Sequence, residues 1–180
     1  MARIRTSDGR LVDPLDIQLG DVRPRVIIHS LSQINRFTGH ATYPFSVAQH
    51  TYNLYRAVPK HLKKAAILHD FSEAWFNDLA SPLKRELPNY RAAEKRALDQ
   101  VLYVHGVTKQ EIDDLDEYDK RIYKDERNAL FPIIEELGMG DQFEPLGIPK
   151  EWLRELEWRH VKWLLADTYI NEFSMEMYCR

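Results

Sequence analysis

The chain has 180 residues, 44% of them hydrophobic, which is typical of one globular domain with its own core. Lysine and arginine number 25 against 28 aspartates and glutamates, so the formal charge of -3 gives no sign of a general nucleic-acid-binding surface. We therefore expect a single domain over residues 1–180 without a nucleic-acid partner, and the charge leaves room for a small anionic ligand.

The cysteine and apolar patterns predict a cytoplasmic protein. Cys179 is the only cysteine, so no intrachain disulfide and no thiolate metal site can form. The first segment, MARIRTSDGRLVDPLDIQ, has no apolar run of signal-peptide length. No segment approaches the ~18 continuous apolar residues that span a bilayer, so we expect no membrane partner.

The chain begins with a predicted β-hairpin and then reads as helical. Residues 3–13, RIRTSDGRLVD, place a Ser-Asp-Gly turn between two short alternating runs, which predicts the hairpin. Asp21 and Pro24 favour the start of a first helix, which would carry Leu31 and Ile34 on its apolar side and end near NRFTGH.

Two further helices are predicted to carry histidines. Ser46 opens SVAQ, which fits a capping box in which Gln49 reaches back to the first residue, and His50 falls in the second turn of this helix. Pro59 suits the first turn of the next helix, whose apolar residues lead into His69 and Asp70.

The rest of the chain completes an all-α prediction. NDLASPLKRELPN reads as a loop or a short irregular helix, and helices are predicted over 90–104 and 108–131, the latter with a capping box in TKQE. The Gly- and Pro-rich residues 137–149 predict a connection to a long closing helix from Pro149 onward. The fold class is therefore an all-α helical bundle with a short N-terminal β-hairpin.

The adjacent His69 and Asp70 are the strongest chemical signal. Neighbouring side chains on a helix point about 100° apart, so both reach one metal ion only if it lies between their directions. An isolated pair of this kind is more often a surface pair. Here it follows the apolar AAIL and precedes further acids among aromatic residues, where an unpaired buried charge would be costly. We therefore predict a divalent metal, with His50 and Asp119 as the best further ligands.

Several motifs resemble one known family. YPFSVAQH, LHDFSEAWFNDLASPLK and YDKRIYKDE, in this order, are similar to the HD-domain metal-dependent phosphohydrolases, whose signature is H…HD…D. LSQINRFTGH resembles the segment before the first metal histidine in their subgroup of small 5′-deoxynucleotidases and phage dATP triphosphohydrolases. The similarity covers roughly residues 30–126 and implies a compact HD-domain helical bundle.

The resemblance assigns roles residue by residue. The metal ligands would be His50, His69, Asp70 and Asp119. Catalytic acid–base roles would fall to Glu73, which is expected on the same helix face as His69 and Asp70, and to Asp78, which would orient the attacking water or shuttle a proton. Most other charged residues around Asp119, in YDKRIYKDERNAL, are interpreted as a solvated, mixed-charge helix face.

Four residues would bind substrate by the same resemblance. Arg36 matches an arginine that contacts the phosphate, and Phe37 stands where the related INRW motif has a tryptophan that packs against sugar and base. Replacing Trp by Phe keeps an aromatic wall and enlarges the pocket. Pro82 would line the base pocket and Lys84 would approach the phosphates.

The implied function is hydrolysis of a deoxynucleotide, and two reactions compete. A dATP triphosphohydrolase releases deoxyadenosine and triphosphate, and its phage relatives deplete dATP where 2-aminoadenine replaces adenine in the viral genome. A 5′-deoxynucleotidase releases phosphate from deoxynucleoside monophosphates. The different-class alternative is a non-catalytic HD module that binds a nucleotide. We favour the first, with one divalent Zn, Co or Mn ion per site, a homo-oligomeric assembly, and the host cytoplasm if a phage encodes the chain.

Overall fold

The computed structural model describes residues 3–132 and 143–180, and most of these residues are α-helical. An antiparallel hairpin precedes the helices: β1 (Ile4–Arg5) pairs with β2 (Leu11–Val12), with Ile4 opposite Val12. Gly9 supplies the left-handed conformation that the turn requires, at φ 85°. The all-α class and the short N-terminal hairpin agree with the prediction.

The described residues form nine α-helices after the hairpin. In chain order they are α1 (Pro24–Leu31), α2 (Val47–Ala57), α3 (Lys63–Leu68), α4 (Glu73–Phe76), α5 (Ser81–Arg85), α6 (Pro88–His105), α7 (Lys109–Leu130), α8 (Trp158–Glu172) and α9 (Met175–Cys179). Single 3₁₀ turns lie at Leu19–Asp21, Phe37–Gly39, Lys60–Leu62 and Lys150–Leu153. Among the described residues, none of the helices combines the length and apolar character needed to cross a bilayer.

Helix α2 lies at the centre of the packing, against α3 and α8, and α3 packs in turn against α7. The apolar side chains from these helices form a continuous buried core with α1. Its fully buried members include Ile28, Leu31, Val47, Leu54, Ile67, Leu68, Phe71, Leu115, Ile122 and Leu165. Because α2, α3 and α7 pack on one another, polar residues from the first turns of α2, from the turn after α3 and from the middle of α7 are brought together inside the fold.

Helix α1 is shorter than predicted, since it ends at Leu31 and leaves Ile34 outside. The chain pairs instead with the segment before α2. The amide of Arg36 donates to the carbonyl of Phe45 at 2.8 Å, and that of Val47 donates to the carbonyl of Ile34 at 2.9 Å. These long-range backbone bonds replace the helical ones and fix Arg36 beside the start of α2.

The predicted third helix is interrupted where its two chemical residues occur. It begins as a 3₁₀ turn, α3 ends at Leu68, and both His69 and Asp70 lie in a turn before α4. The amides of Phe71 and Glu73 donate to carbonyls three residues back, those of Leu68 and Asp70. Because of this tighter winding, His69 and Asp70 do not share a regular helix with Glu73. The prediction that the three residues lie on one helix face is therefore wrong.

The long closing helix predicted from Pro149 is wrong, because the chain is extended between Leu153 and the start of α8. The side-chain amide of Gln49 donates to the carbonyls of Trp152 and Arg154, at 3.3 and 2.9 Å. Those carbonyls are no longer available for a continuous helix.

The same bonds correct the predicted capping box of α2. The Ser46 hydroxyl accepts from the amide of Gln49, but the Gln49 side chain bonds to Trp152 and Arg154 and not to the backbone of Ser46. Of the predicted connection, residues 137–142 lie outside the described residues.

Helix α7 is held at its start by the predicted capping box. The Thr108 hydroxyl accepts from the amide of Glu111, and the Glu111 carboxylate accepts from the amide of Thr108. The segment 81–85 forms the short helix α5, which was one of the two predicted alternatives.

Thr108→Ala should lower the free energy of unfolding by about 1 kcal/mol, since it removes the cap from the first turn of α7. Urea unfolding monitored by circular dichroism measures this loss. Thr108→Ser retains the hydroxyl and is the matched control, expected close to the wild type. Equal stability of the alanine variant and the wild type would contradict the role of the cap.

Candidate metal centre

His50 reaches the centre of the fold from the first turns of α2 and is fully buried, at 0% exposure. Its Nδ1 lies 2.7 Å from Oε1 of Glu126. A carboxylate can only accept, so Nδ1 carries the proton and donates it to Glu126. The other ring nitrogen, Nε2, is therefore the atom with which the ring can bind a cation.

His69 faces His50 from the end of α3. Its Nδ1 donates to the carbonyl of Ala66 at 2.9 Å, which again leaves Nε2 as the atom with a lone pair. The two Nε2 atoms lie only 3.2 Å apart. Two unprotonated nitrogens at this distance repel each other unless a cation lies between them.

Two carboxylate oxygens complete the cluster. Oδ1 of Asp119, from α7, lies 3.1 Å from Nε2 of His50, and Oδ2 of Asp70 lies 3.1 Å from Nε2 of His69. With the imidazoles in these tautomers, neither oxygen receives a hydrogen bond. Four acceptor atoms thus face one another without a donor. The atoms of His50, His69 and Asp119 all lie within 4.8 Å of one another, and this group could hold a metal ion.

The charge around these atoms favours a cation beside Nε2 of His50, whether a proton or a metal ion. Burial and Arg36 lower the pKa of His50, but Glu126 and Asp119 outweigh them and raise it to about 10. A proton on Nε2 of His50 would serve one or two of the contacts at most. A divalent ion serves nitrogen and oxygen donors together, and imidazole with carboxylate is a donor set that such ions accept. The residues present therefore fit a divalent metal.

Asp70 favours its charged form. Burial opposes ionisation, but His69, His50 and Arg36 outweigh it and lower the pKa of the Asp70 carboxyl below its usual range. The guanidinium of Arg36 adds one positive charge, with Nη1 3.6 Å from Oδ2 of Asp70 and Nε 3.2 Å from Oε2 of Glu126. One guanidinium among the carboxylates of Asp70, Asp119 and Glu126 leaves two negative charges, which a divalent ion would balance.

Glu126 corrects the interpretation of α7 as a mostly solvated helix at this position, since its side chain is 0% exposed. It follows Asp119 by seven residues, two helical turns, and so lies on the same face. The buried residues Leu115, Ile122 and Leu130 mark that face. The signal was in the sequence: the spacing of these three apolar residues from Glu126 predicts a buried acid with a partner.

Glu73 opens α4 and is buried beside the cluster. Burial, followed by the charges of Asp70 and Asp78, raises the pKa of the Glu73 carboxyl well above its usual value. Asp78 lies in the segment after α4, and its Oδ2 accepts from the amide of Phe37 at 3.0 Å. The structure thus places both predicted acid–base residues beside the cluster of predicted metal ligands.

A cavity of about 750 Å³ opens beside the cluster, and all four predicted substrate-binding residues line it. It is also lined by Asp70, Asp119, Glu73 and Asp78. The cavity therefore connects two of the four predicted metal ligands, the predicted acid–base pair and the predicted substrate residues. A volume of this size suits a nucleotide-sized ligand.

The aromatic wall of the cavity includes a residue that the sequence analysis missed. Tyr123 of α7 lies one helical turn after Asp119, and its ring centroid is 5.7 Å from that of Phe37. The Phe37 ring also packs edge-on against Phe131 at 5.2 Å. Phe37 and Thr38 adopt left-handed conformations, at φ 58° and 54°, which are unusual for residues with these side chains. The ring position is therefore held by its surroundings.

Lys84 stands in the cavity wall with a partner of its own. Its Nζ lies 2.7 Å from Oε1 of Glu94 on α6, and Lys84 also lines a neighbouring cavity of about 670 Å³. Pro82 is on the same short helix, α5. The lysine can approach a phosphate in the main cavity only by leaving or sharing this ion pair.

Comparison with known proteins gives one partial match of interest. No family model matches the chain. The chain is 37% identical over 102 residues to "Uncharacterized protein YfdR" of Escherichia coli (strain K12), and the aligned part covers 57% of this chain and 57% of that protein. The chain thus spans little more than half of that relative, and the relative's name states no activity.

Adding Co²⁺ or Zn²⁺ at 100 times its dissociation constant should stabilise the fold by about 2.7 kcal/mol, since the ion binds only the folded cluster. For a chain of this size the melting temperature should rise by roughly 5–10 °C. His69→Ala should abolish the rise, whereas the exposed His160→Ala should keep it. A thermal melt with and without metal measures both, and an equal rise in the two variants would contradict the assignment.

Proposed function

We propose that the chain is a metal-dependent phosphohydrolase of the HD-domain type that acts on deoxynucleotides, with dATP as substrate and deoxyadenosine and triphosphate as products. One observation carries the proposal. The Nε2 atoms of His50 and His69 lie 3.2 Å apart, beside carboxylate oxygens of Asp70 and Asp119 that have no hydrogen-bond partner. The two aspartates line a cavity that Arg36 and Lys84 also line. Donors for a divalent metal and cations for a phosphate thus meet at one place.

His50, His69, Asp70 and Asp119 would hold the ion, and Zn, Co and Mn suit this mixture of nitrogen and oxygen ligands. When bound, the ion would polarise a phosphoryl oxygen and lower the pKa of water. The two histidine ligands are oriented by hydrogen bonds from Nδ1, that of His50 to Glu126 and that of His69 to the carbonyl of Ala66.

Glu73 is proposed to move the proton. Its raised pKa brings proton transfer nearer to neutral pH than for an ordinary glutamate, which suits a group that takes a proton from the attacking water and gives it to the leaving oxygen. Asp78 is proposed to orient the water with the carboxylate that also accepts from the amide of Phe37. Neither role requires a group outside the cavity.

Substrate would be held by charge at one end and by an aromatic wall at the other. Arg36 and Lys84 are proposed to contact the phosphates, and Phe37 with Pro82 to contact the sugar and base. Tyr123 extends this wall, since its ring packs beside that of Phe37. Stacking on such a wall would hold the nucleobase in the position where contacts at its edge select adenine, so the choice of base depends on the wall as well as on those contacts. The homo-oligomer stays a prediction.

The test is a product assay on the metal-supplemented protein with dATP, dAMP, the other deoxynucleotides and ATP. Triphosphate released from dATP alone supports the proposal. Orthophosphate released from several monophosphates supports the alternative, a 5′-deoxynucleotidase that uses the same residues. Absence of product with every metal would overturn both and favour a non-catalytic nucleotide-binding module.

Glu73→Gln should lower kcat by about 10²- to 10⁴-fold, because the amide cannot transfer the proton. Metal binding should survive, since Glu73 is not one of the proposed ligands. Steady-state kinetics give the first result, and the metal-induced rise in melting temperature checks the second. Full activity in this variant would exclude Glu73 as the acid–base group.

Phe37→Ala should change the choice of substrate more than the maximal rate, since the ring positions sugar and base rather than reacting atoms. The ratios of kcat/KM for dATP against dGTP and for dATP against ATP should both fall toward one. Phe37→Trp fills more of the pocket and should raise the preference for dATP over ATP. Unchanged ratios in the alanine variant would show that the wall lies elsewhere.

A further inference from the structure

Glu126 joins two groups that the proposed function uses for different purposes. Its Oε1 lies 2.7 Å from Nδ1 of His50, a proposed metal ligand, and its Oε2 lies 3.2 Å from Nε of Arg36, a proposed phosphate contact. The carboxylate is fully buried. Water therefore cannot replace either partner if one of them moves, and the positions of the two depend on the same side chain.

Each contact has a separate consequence. The bond from His50 fixes the ring with its Nε2 toward the metal group, and a negative partner makes that nitrogen a better ligand. The ion pair with Arg36 fixes the guanidinium at the cavity, where it also lies 3.6 Å from Asp70. An anion bound by Arg36 would compete for its charge and leave more of the negative charge of Glu126 to His50. A cation on His50 would likewise draw on the negative charge of Glu126 and leave more of the positive charge of Arg36 to the anion.

We propose that Glu126 is a positioning residue that couples cation binding at His50, His69 and Asp119 to anion binding at Arg36. Each ligand then strengthens the other, since coupling between two sites acts equally in both directions. The anion is a phosphate group, the chemistry that a guanidinium at a cavity wall recognises. This inference rests on the proposed function. It adds that metal and substrate each raise the affinity for the other, whichever of them binds first.

The role of Glu126 is not available to glutamine. Oε1 accepts from Nδ1 of His50, and Oε2 forms an ion pair with Arg36 without a hydrogen bond between Oε2 and Nε. A side-chain amide has no negative charge, so Glu126→Gln loses the ion pair with Arg36 even when its oxygen still accepts from His50. The substitution therefore breaks the link while it changes the volume very little.

The experiment is a Co²⁺ titration of the intact protein, followed by visible absorption, with and without inorganic phosphate. In the wild type phosphate should tighten Co²⁺ binding by about 5-fold or more. In Glu126→Gln the affinity for Co²⁺ should fall by about 10- to 100-fold. The ratio of the Co²⁺ dissociation constants without and with phosphate should fall toward one. Glu117→Gln, on the exposed side of the same helix, is the matched control and should behave as the wild type.

Arg36→Lys tests the link from its other end and serves if the Glu126 variant does not fold. It keeps a positive charge but has no Nε to pair with Glu126, so the effect of phosphate should fall while Co²⁺ still binds. A phosphate effect as large in both variants as in the wild type would overturn the proposal, as would its absence from the wild type.

The outcomes separate this inference from the proposed function. Coupling without hydrolysis of any nucleotide would refute the hydrolase and leave the role of Glu126 intact. Hydrolysis of dATP without coupling would refute the role of Glu126 alone. A wild-type protein that binds no Co²⁺ would refute both.

Discussion

Four acceptor atoms at the centre of the fold require a positive charge between them. Nε2 of His50 and Nε2 of His69 are 3.2 Å apart, and carboxylate oxygens of Asp70 and Asp119 lie beside them without a hydrogen bond. Each buried polar atom without a partner costs about 1–3 kcal/mol. A cation held among the four atoms would offset this cost, and the surrounding residues keep the atoms in this arrangement.

The fold brings the cluster together from three separate parts of the chain. His50 comes from α2, His69 and Asp70 from the turn after α3, and Asp119 from the middle of α7. Apolar packing of these helices sets the spacing between the ligands. Helix α7 also contributes Glu126, which lies two turns after Asp119 and orients the His50 ring by accepting a hydrogen bond from its Nδ1. Arg36 reaches the group because the chain after α1 leaves the helix and pairs with the start of α2.

The sequence predicted what depends on local chemistry. The hairpin follows from its turn residues, the start of α7 from its capping box, and the His69–Asp70 signal from a histidine–aspartate pair in apolar surroundings. What it missed depends on distant partners. The early end of α1 and the extended chain before α8 accompany hydrogen bonds to distant segments, which form only in the folded state. The end of α3 at Leu68 differs, since the backbone bonds there are local and more tightly wound. Glu126 was hidden by charged neighbours on other faces of α7, although its seven-residue spacing from Asp119 marked the buried face. The roles of Glu73, Asp78 and the cavity residues stay predictions, which the geometry makes testable.

X-ray absorption at the metal edge of the Co²⁺- or Zn²⁺-loaded protein tests the central claim most directly, because it reports the atoms around the ion. The account predicts a shell of nitrogen and oxygen at about 2.0–2.2 Å, with the multiple scattering of two imidazole rings and no sulfur. In His50→Ala the imidazole signal should fall by half or the ion should be lost. A shell of oxygen alone, or a spectrum unchanged by that substitution, would mean that the ion binds elsewhere and would contradict the account.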